Sequence, residues 1–281
     1  MKKRLLVSWE GSDGGADLVK TAKRLIKSQV IKWQRPVAGA NKKESSIRLN
    51  LQFTKFDATT QLDSKLLSDT PYLYIYFTEC SDGELYKQRV KPHLADWLHQ
   101  LIKRGIDHFL ICVVVGERSK LQLRQTVVDK IKVDFLMKHP NRLAVLNEPS
   151  RDTPKSRESW AAFCDRVIET SIETMDIAFD QLNETVREQR ESRNQPGWDF
   201  GRFFILQEEI AILYESLGLY ADALIQYDEL DAMLTQYLEN SRLNQIHPKW
   251  LKPLLEQPIT RWEAFLFKVS FISLTFRTSL I

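Results

Sequence analysis

Two long apolar runs constrain the fold of this 281-residue chain more than any other feature. Residues 71–78 and residues 109–115 are nearly continuous stretches of aromatic, β-branched and aliphatic side chains. Strands of this kind are usually buried on both faces, as in a sheet that helices cover on both sides. An amphipathic helix predicted over residues 91–104, between the two runs, supplies the crossover that such a sheet requires.

Neighbouring segments extend the same pattern. Residues 47–53 alternate apolar and polar side chains, which predicts one half-buried strand. Residues 121–137 predict a second crossover helix, and residues 142–147 predict a short further strand. The order of strands and helices predicts an α/β fold, a layered sheet with crossover helices, and we assign it to residues 1–150.

The second half of the chain reads as helical. After a polar stretch with two prolines, Thr153 and Pro154 are suited to cap and begin a long amphipathic helix. Two more helices are predicted over residues 200–217 and 220–238, with Gly218 at the turn between them. We therefore predict an all-helical, solenoid-like region over residues 151–262 and a divergent apolar tail over residues 263–281. No run of eighteen uncharged apolar residues occurs, so no membrane span is expected.

Residues 217–227 match the turn and second helix of a tetratricopeptide repeat. Gly218 permits a tight turn, Ala223 lets two helices approach closely, and Leu224 belongs to the apolar set of the second helix. One repeat cannot bury its own faces. Two interpretations stay open: a generic helical hairpin of a solenoid, or part of a peptide-binding repeat array.

Charge is distributed unevenly along the helical region. Residues 203–241 contain eight acidic side chains and no Lys or Arg. Because apolar positions fill the core stripe, we expect the acidic side chains, Glu208 and Glu209 included, to lie largely at the surface, where a basic partner would relieve their repulsion. The predicted partner-binding face comprises Glu215, Asp222, Asp228 and Asp231. The alternative is an ordinary solvated surface.

Sequence motifs for catalysis, phosphate binding, metal binding or nucleic-acid binding are weak. The glycine cluster of residues 11–15 lacks the Lys-Ser/Thr pair of a phosphate-binding loop, and no G-x-S-x-G nucleophile motif occurs. The five histidines lack metal-site spacing, and no CxxC is present. The basic residues 20–48 include Trp33 as their single aromatic side chain, which argues against nucleic-acid binding. We expect no catalytic residue, no cofactor and no metal.

Polar segments follow two of the buried strands. Residues 78–83 and 116–118 come where open α/β sheets bind ligands, at strand carboxyl ends. A small-molecule cleft and a plain strand end followed by a helix cap are both compatible with these segments, and the second is favoured. The three cysteines are far apart and odd in number, which predicts no disulfide framework and a reducing compartment.

Several short segments, in order along the chain, resemble the amino-terminal region of the large TRAPP II-specific subunits, the trafficking protein particle complex subunit ten family. They are residues 74–80, 84–87, 127–131, 134–135, 158–163, 196–198, 207–209 and 223–232. Residues 1–60 match the family only loosely, and residues 266–281 depart from its pattern. Members of this family are longer, with further helical repeats and β-sandwich domains.

The resemblance implies a non-catalytic scaffold subunit of a TRAPP II-type tethering and Rab guanine-nucleotide-exchange complex in Golgi vesicle-mediated transport. It implies that the chain binds other TRAPP subunits directly. It implies that a Rab-family GTPase and the membrane are reached only indirectly, through the complex. It also implies a cytoplasmic location, peripheral at the trans-Golgi. From the residues alone, an α/β nucleotide-binding or enzymatic module with a helical extension is the alternative, and a stand-alone peptide-binding helical-repeat adaptor is a third hypothesis.

Overall fold

A computed structural model describes residues 5–11, 15–26, 29–37, 40–57, 67, 70–80, 83–115, 121–147 and 153–244. The strands are β1 (Leu5–Gly11), β2 (Gln29–Val37), β3 (Ala40–Leu49), β4 (Leu51–Lys55), β5 (Leu73–Glu79), β6 (Phe109–Val115) and β7 (Leu143–Asn147). The helices are α1 (Gly15–Leu25), α2 (Gly83–Leu85), α3 (Lys91–Lys103), α4 (Leu121–Phe135), α5 (Pro154–Glu191), α6 (Phe200–Ser216) and α7 (Tyr220–Asn244). A π-helical turn (Tyr86–Val90) joins α2 to α3. Within these described ranges, no helix is long and apolar enough to cross a membrane.

Five strands form one parallel sheet in the order β4-β1-β5-β6-β7. Every residue of β6 is buried, and so is every residue of β5 except Glu79, because helices cover both faces of the sheet. α3 and α4 pack on one face, and α1 packs with the first half of α5 on the other. The α/β class predicted for the first half, and the helical region predicted after it, are confirmed.

The single strand predicted over residues 47–53 is wrong. The chain there changes sheets at Asn50: β3 pairs antiparallel with β2 in a separate two-stranded hairpin, whereas β4 pairs parallel with β1. Ile47, Leu49 and Phe53 are all buried, so the alternation of buried side chains runs through the break. A period of two therefore could not reveal that the strand changes its partner.

Helix α5 connects the sheet to the remaining helices. It begins as predicted, because the Thr153 hydroxyl accepts a hydrogen bond from the Ser156 backbone N–H at 3.2 Å and Pro154 occupies the first turn. Near its start, Trp160 packs against the sheet, whereas Phe179, further along, packs against the β2–β3 hairpin and α6. The boundaries drawn at residues 150 and 262 stay predictions.

The turn between α6 and α7 contacts the β2–β3 hairpin. Gly218 has a φ of +79°, a left-handed conformation that side chains with a Cβ rarely adopt, and its position at the end of α6 is as predicted. The carbonyl of Leu217 accepts a hydrogen bond from the Arg48 backbone N–H at 2.8 Å. The hairpin thus joins the sheet side of the molecule to the α6–α7 pair, which packs as antiparallel neighbours.

Candidate partner-binding surface

The four residues of the predicted partner-binding face lie on α6 and α7 and differ in how exposed they are. Glu215, in the last turn of α6, and Asp222, in the first turn of α7, are half-buried, whereas Asp228 and Asp231 are exposed. Asp228 and Asp231 are three residues apart and are therefore neighbours on the helix surface. Asp222 precedes Asp231 by about two and a half turns, which places the two on opposite sides of α7. The structure therefore places Asp228 and Asp231 side by side and Asp222 away from them.

Exposed apolar side chains accompany this pair. Tyr220 is 69% exposed and Leu224 is 51% exposed. Their spacing of four residues continues to Asp228, so Tyr220, Leu224, Asp228 and Asp231 form one stripe, the outer α7 surface. Exposed apolar anchors bordered by charge are typical of protein–protein interfaces.

The placement of Leu224 corrects one expectation from the sequence. Leu224 was expected in the apolar set of the helix pair, but α7 packs through the side that carries Ala223, Leu230 and Leu234. Leu224 lies roughly a quarter of a turn beyond that side, because adjacent helix positions are about 100° apart. The repeat-like pattern of residues 217–227 did not distinguish the two sides of α7.

The expectation that Glu208 and Glu209 lie at the surface is wrong. Glu208 is 5% exposed and Glu209 is 1% exposed. Helix α6 is buried nearly all round because α5 and α7 both pack against it. Glu209 also lies near the buried Tyr72, and burial together with the Glu209 carboxylate raises the pKa of the Tyr72 phenol. These two carboxylates belong to the interior and do not contribute to a partner face.

Glu229 forms hydrogen bonds within the helical region. Its carboxylate accepts hydrogen bonds from Arg190 at 3.1 Å and from Gln207 at 2.8 Å. The Gln207 amide also donates to Gln226 at 3.1 Å. This network links α5, α6 and α7, so Glu229 fixes the packing of the three helices.

A cleft of about 770 Å³ lies at the carboxyl ends of β4, β1 and β5, on the side of the sheet that α3 covers. Thr78 and Glu79, from the first of the predicted strand-end segments, line it, whereas residues 81–82 and 116–118 lie outside the described residues. Glu10 and Trp97 line it as well, and nothing in the sequence pointed to either. In the part of the chain that the structure describes, no group of three or more His, Cys, Asp or Glu side chains could hold a metal ion.

A family model decides what this chain is related to. Residues 3–193 match the model described as "Trafficking protein particle complex subunit 10-like, N-terminal". That span covers well over half of the chain and includes the whole parallel sheet and α5. The chain belongs to the trafficking protein particle complex subunit 10-like family. The resemblance drawn from short segments is confirmed, and the match extends through most of residues 1–60, where those segments matched only loosely.

Individual relatives show how far the similarity extends along the chain. Human trafficking protein particle complex subunit 10 is 32% identical over 255 residues, which cover 88% of this chain and 20% of the human protein. The Drosophila melanogaster subunit 10 is 32% identical over 252 residues, 82% of this chain and 22% of the relative. The trafficking protein particle complex II-specific subunit 130 homolog of Oryza sativa is 28% identical over 166 residues, 57% of this chain and 13% of the relative. The chain thus spans about a fifth of the length of the subunit 10 proteins that it matches.

Proposed function

We propose that this chain is a non-catalytic scaffold region of a TRAPP II-type tethering and Rab guanine-nucleotide-exchange complex in Golgi vesicle-mediated transport. The observation that carries the proposal is the family match over residues 3–193. In this role the chain binds other TRAPP subunits and reaches the Rab-family GTPase and the membrane only through them. Its location is then cytoplasmic and peripheral at the trans-Golgi.

The arrangement of α5 supports a scaffold role. Its 38 residues extend over roughly 57 Å, and its two halves pack on the sheet and on the α6 side of the molecule. The outer α7 surface is therefore held in a defined position relative to the sheet. A rigid support of this kind lowers the entropy cost of binding a partner.

Affinity purification tests the proposal. We expect the tagged chain, expressed in cells of its own source, to co-purify with other TRAPP subunits, identified by mass spectrometry. The tag alone, expressed at the same level, is the control. Recovery of no TRAPP subunit above that control would contradict the proposal.

The sheet topology favours one alternative, an α/β nucleotide-binding or enzymatic module with a helical extension. Open α/β sheets bind ligands at the carboxyl ends of strands where the strand order reverses, and the cleft beside β1 and β5 lies at such a point. The charges there oppose a phosphate ligand. Glu10 and Glu79 stand at the strand ends, and Asp17 occupies the first turn of α1, near where a phosphate-binding loop has Lys and Ser/Thr.

We expect no saturable binding of ATP or GTP with Mg²⁺ at millimolar concentrations, because carboxylates at this edge repel a triphosphate. Isothermal titration calorimetry of the purified chain measures this directly. A saturable heat of binding for either nucleotide would favour the nucleotide-binding alternative over the scaffold.

A further inference from the structure

The two edges of the β2–β3 hairpin differ, because the helical region occupies only the β3 edge. In an antiparallel pair, register partners alternate between exchanging both backbone hydrogen bonds and pointing those groups away from each other. Val30 and Arg48 are register partners, and the Arg48 N–H points away from β2, because it donates to the Leu217 carbonyl at the end of α6 at 2.8 Å. The backbone N–H and C=O of Val30 therefore point away from β3, toward the other edge of β2.

The same alternation extends this open edge along β2. Lys32 and Gln34 follow Val30 at intervals of two residues in an unbroken register, so their N–H and C=O groups also point outward. Among the described residues, no backbone group outside the hairpin bonds to any of the three. Val30 is 66% exposed, and Lys32 and Gln34 are exposed as well. Pro36, which has no N–H, follows at a β-bulge, so the open edge covers residues 30–34.

The charge around this edge favours an acidic partner. Residues 20–48 contain nine Lys or Arg side chains and a single acidic one, Glu44. Lys32 pairs with Glu44 at 2.8 Å, but both side chains are largely exposed, so this pair is weak and Lys32 can also pair with an incoming carboxylate. A second copy of β2 paired symmetrically about Lys32 would bring two lysines face to face, which disfavours pairing between copies of this chain.

The hairpin holds this edge in place before a partner binds. Trp33 of β2 packs against Phe179 of α5, and its indole N–H donates a hydrogen bond to Asp176. The other strand, β3, is fixed to the end of α6 through the bond from Arg48 to Leu217. An edge that is fixed through both strands loses little conformational entropy when a further strand pairs with it.

We propose that the β2 edge binds an extended acidic segment of a partner protein, which adds to the hairpin as a third strand. The backbone groups of the segment pair with those of Val30, Lys32 and Gln34, and a carboxylate lies beside Lys32. A peptide backbone supplies both donors and acceptors for this pairing, whereas the phosphate backbone of a nucleic acid supplies acceptors alone. The proposal rests on the proposed scaffold role only in taking the partner to be a protein.

Amide hydrogen exchange of the free full chain, followed by nuclear magnetic resonance, tests the open edge first. Ile31 and Trp33 alternate with the outward residues, so their N–H groups donate within the hairpin and should exchange slowly. Val30, Lys32 and Gln34 should exchange at least about tenfold faster, because no acceptor protects their N–H groups. Equal protection of the two sets would overturn the proposal.

The second step adds the peptide acetyl-Glu-Val-Glu-Val-Glu-Val-amide as the probe at low ionic strength. We expect saturable shifts and slower exchange of the Val30, Lys32 and Gln34 amides, with a dissociation constant in the millimolar range. Two control peptides should each bind at least about tenfold more weakly. Replacing every Glu by Lys removes the charge complementarity, and methylating the backbone nitrogens removes the donors.

The variant Lys32→Glu should bind the acidic probe at least about threefold more weakly, because like charges then face each other across the new pair. Its control is Lys132→Glu, which makes the same charge change at an exposed position of α4 and should bind as the wild type does. Circular dichroism checks that each variant is folded, and the comparison of peptides on the wild-type chain needs no variant.

No shift of the three amides, equal affinity for either control peptide, or unchanged binding in folded Lys32→Glu would each overturn the proposal. Slower exchange of these amides with polyuridine but not with the acidic peptide would assign the edge to a nucleic acid and would overturn it too. Because the probe is added to the chain alone, such a failure would leave the co-purification expected of the scaffold role untouched.

Discussion

Replacing Trp33 by alanine should lower the free energy of unfolding by about 3–5 kcal/mol, the range for removing a large buried aromatic side chain. Trp33 is 2% exposed and packs edge-on against Phe179 of α5, with 5.8 Å between ring centroids. Its indole N–H donates a hydrogen bond to Asp176 at 2.5 Å. The substitution removes the largest side chain that fixes the β2–β3 hairpin to α5. Urea denaturation followed by far-UV circular dichroism measures the change.

The matched control for Trp33→Ala is Lys32→Ala, one residue earlier in the same strand. Lys32 pairs with Glu44 at 2.8 Å, but both side chains are largely exposed, so we expect a change within about 0.5 kcal/mol. Equal effects of the two substitutions would contradict the account of the hairpin as a buried link between the sheet side and α5.

Reversing Asp222, Asp228 and Asp231 to lysine should slow association with the partner subunits at low salt by on the order of tenfold. Charges at the edge of an interface act mainly on the association rate, so the variant should also show a flatter salt dependence. Asp228 and Asp231 are exposed beside Tyr220 and Leu224, whereas Asp222 is half-buried on the other side of α7. The double reversal of Asp228 and Asp231 should therefore reproduce most of the effect. Stopped-flow measurement at several salt concentrations gives these rates.

The control for this reversal changes the net charge equally at another place. Asp180, Glu188 and Glu191 are exposed on α5, and their triple reversal to lysine alters the total charge by the same amount. We expect that variant to associate faster than the α7 reversal and to keep a salt dependence close to the wild type. If both triple variants, each still folded, associated at the wild-type rate in low salt, the outer α7 surface would be an ordinary solvated surface.

The sequence predicted the elements whose apolar pattern is set by near neighbours along the chain. β5, β6 and α5 have long patterns that a buried strand or an amphipathic helix requires, and they lie close to where they were predicted. The β2–β3 hairpin was missed because most of its residues are polar. Among the hairpin side chains whose burial the structure describes, only Trp33, Ile47 and Leu49 are buried, and Trp33 contacts α5, which is more than a hundred residues away in the chain. A local pattern does not carry that information.

The candidate partner-binding surface was predicted only in part, again because a local pattern does not show which distant elements pack against a helix. Helical periodicity shows which residues share a side of a helix, but it does not show how many neighbours that helix has. Helix α6 has neighbours on several sides, so Glu208 and Glu209 are buried, whereas Leu224 is exposed because α7 packs through its other side. One signal was available: α6 is apolar nearly all round, which is typical of a fully buried helix. Nothing local indicates that Glu10 and Trp97 line the same cleft, because β1 and α3 are far apart along the chain.

Sedimentation velocity of the purified chain, mixed with the other purified subunits of a TRAPP II complex, tests whether the chain is a scaffold region of that complex. If the chain is a scaffold region of that complex, it will sediment with those subunits at a fixed ratio in low salt, and the complex will weaken as salt is raised. A chain that sediments at its own mass of 32.8 kDa at every salt concentration, while remaining folded, would contradict the account.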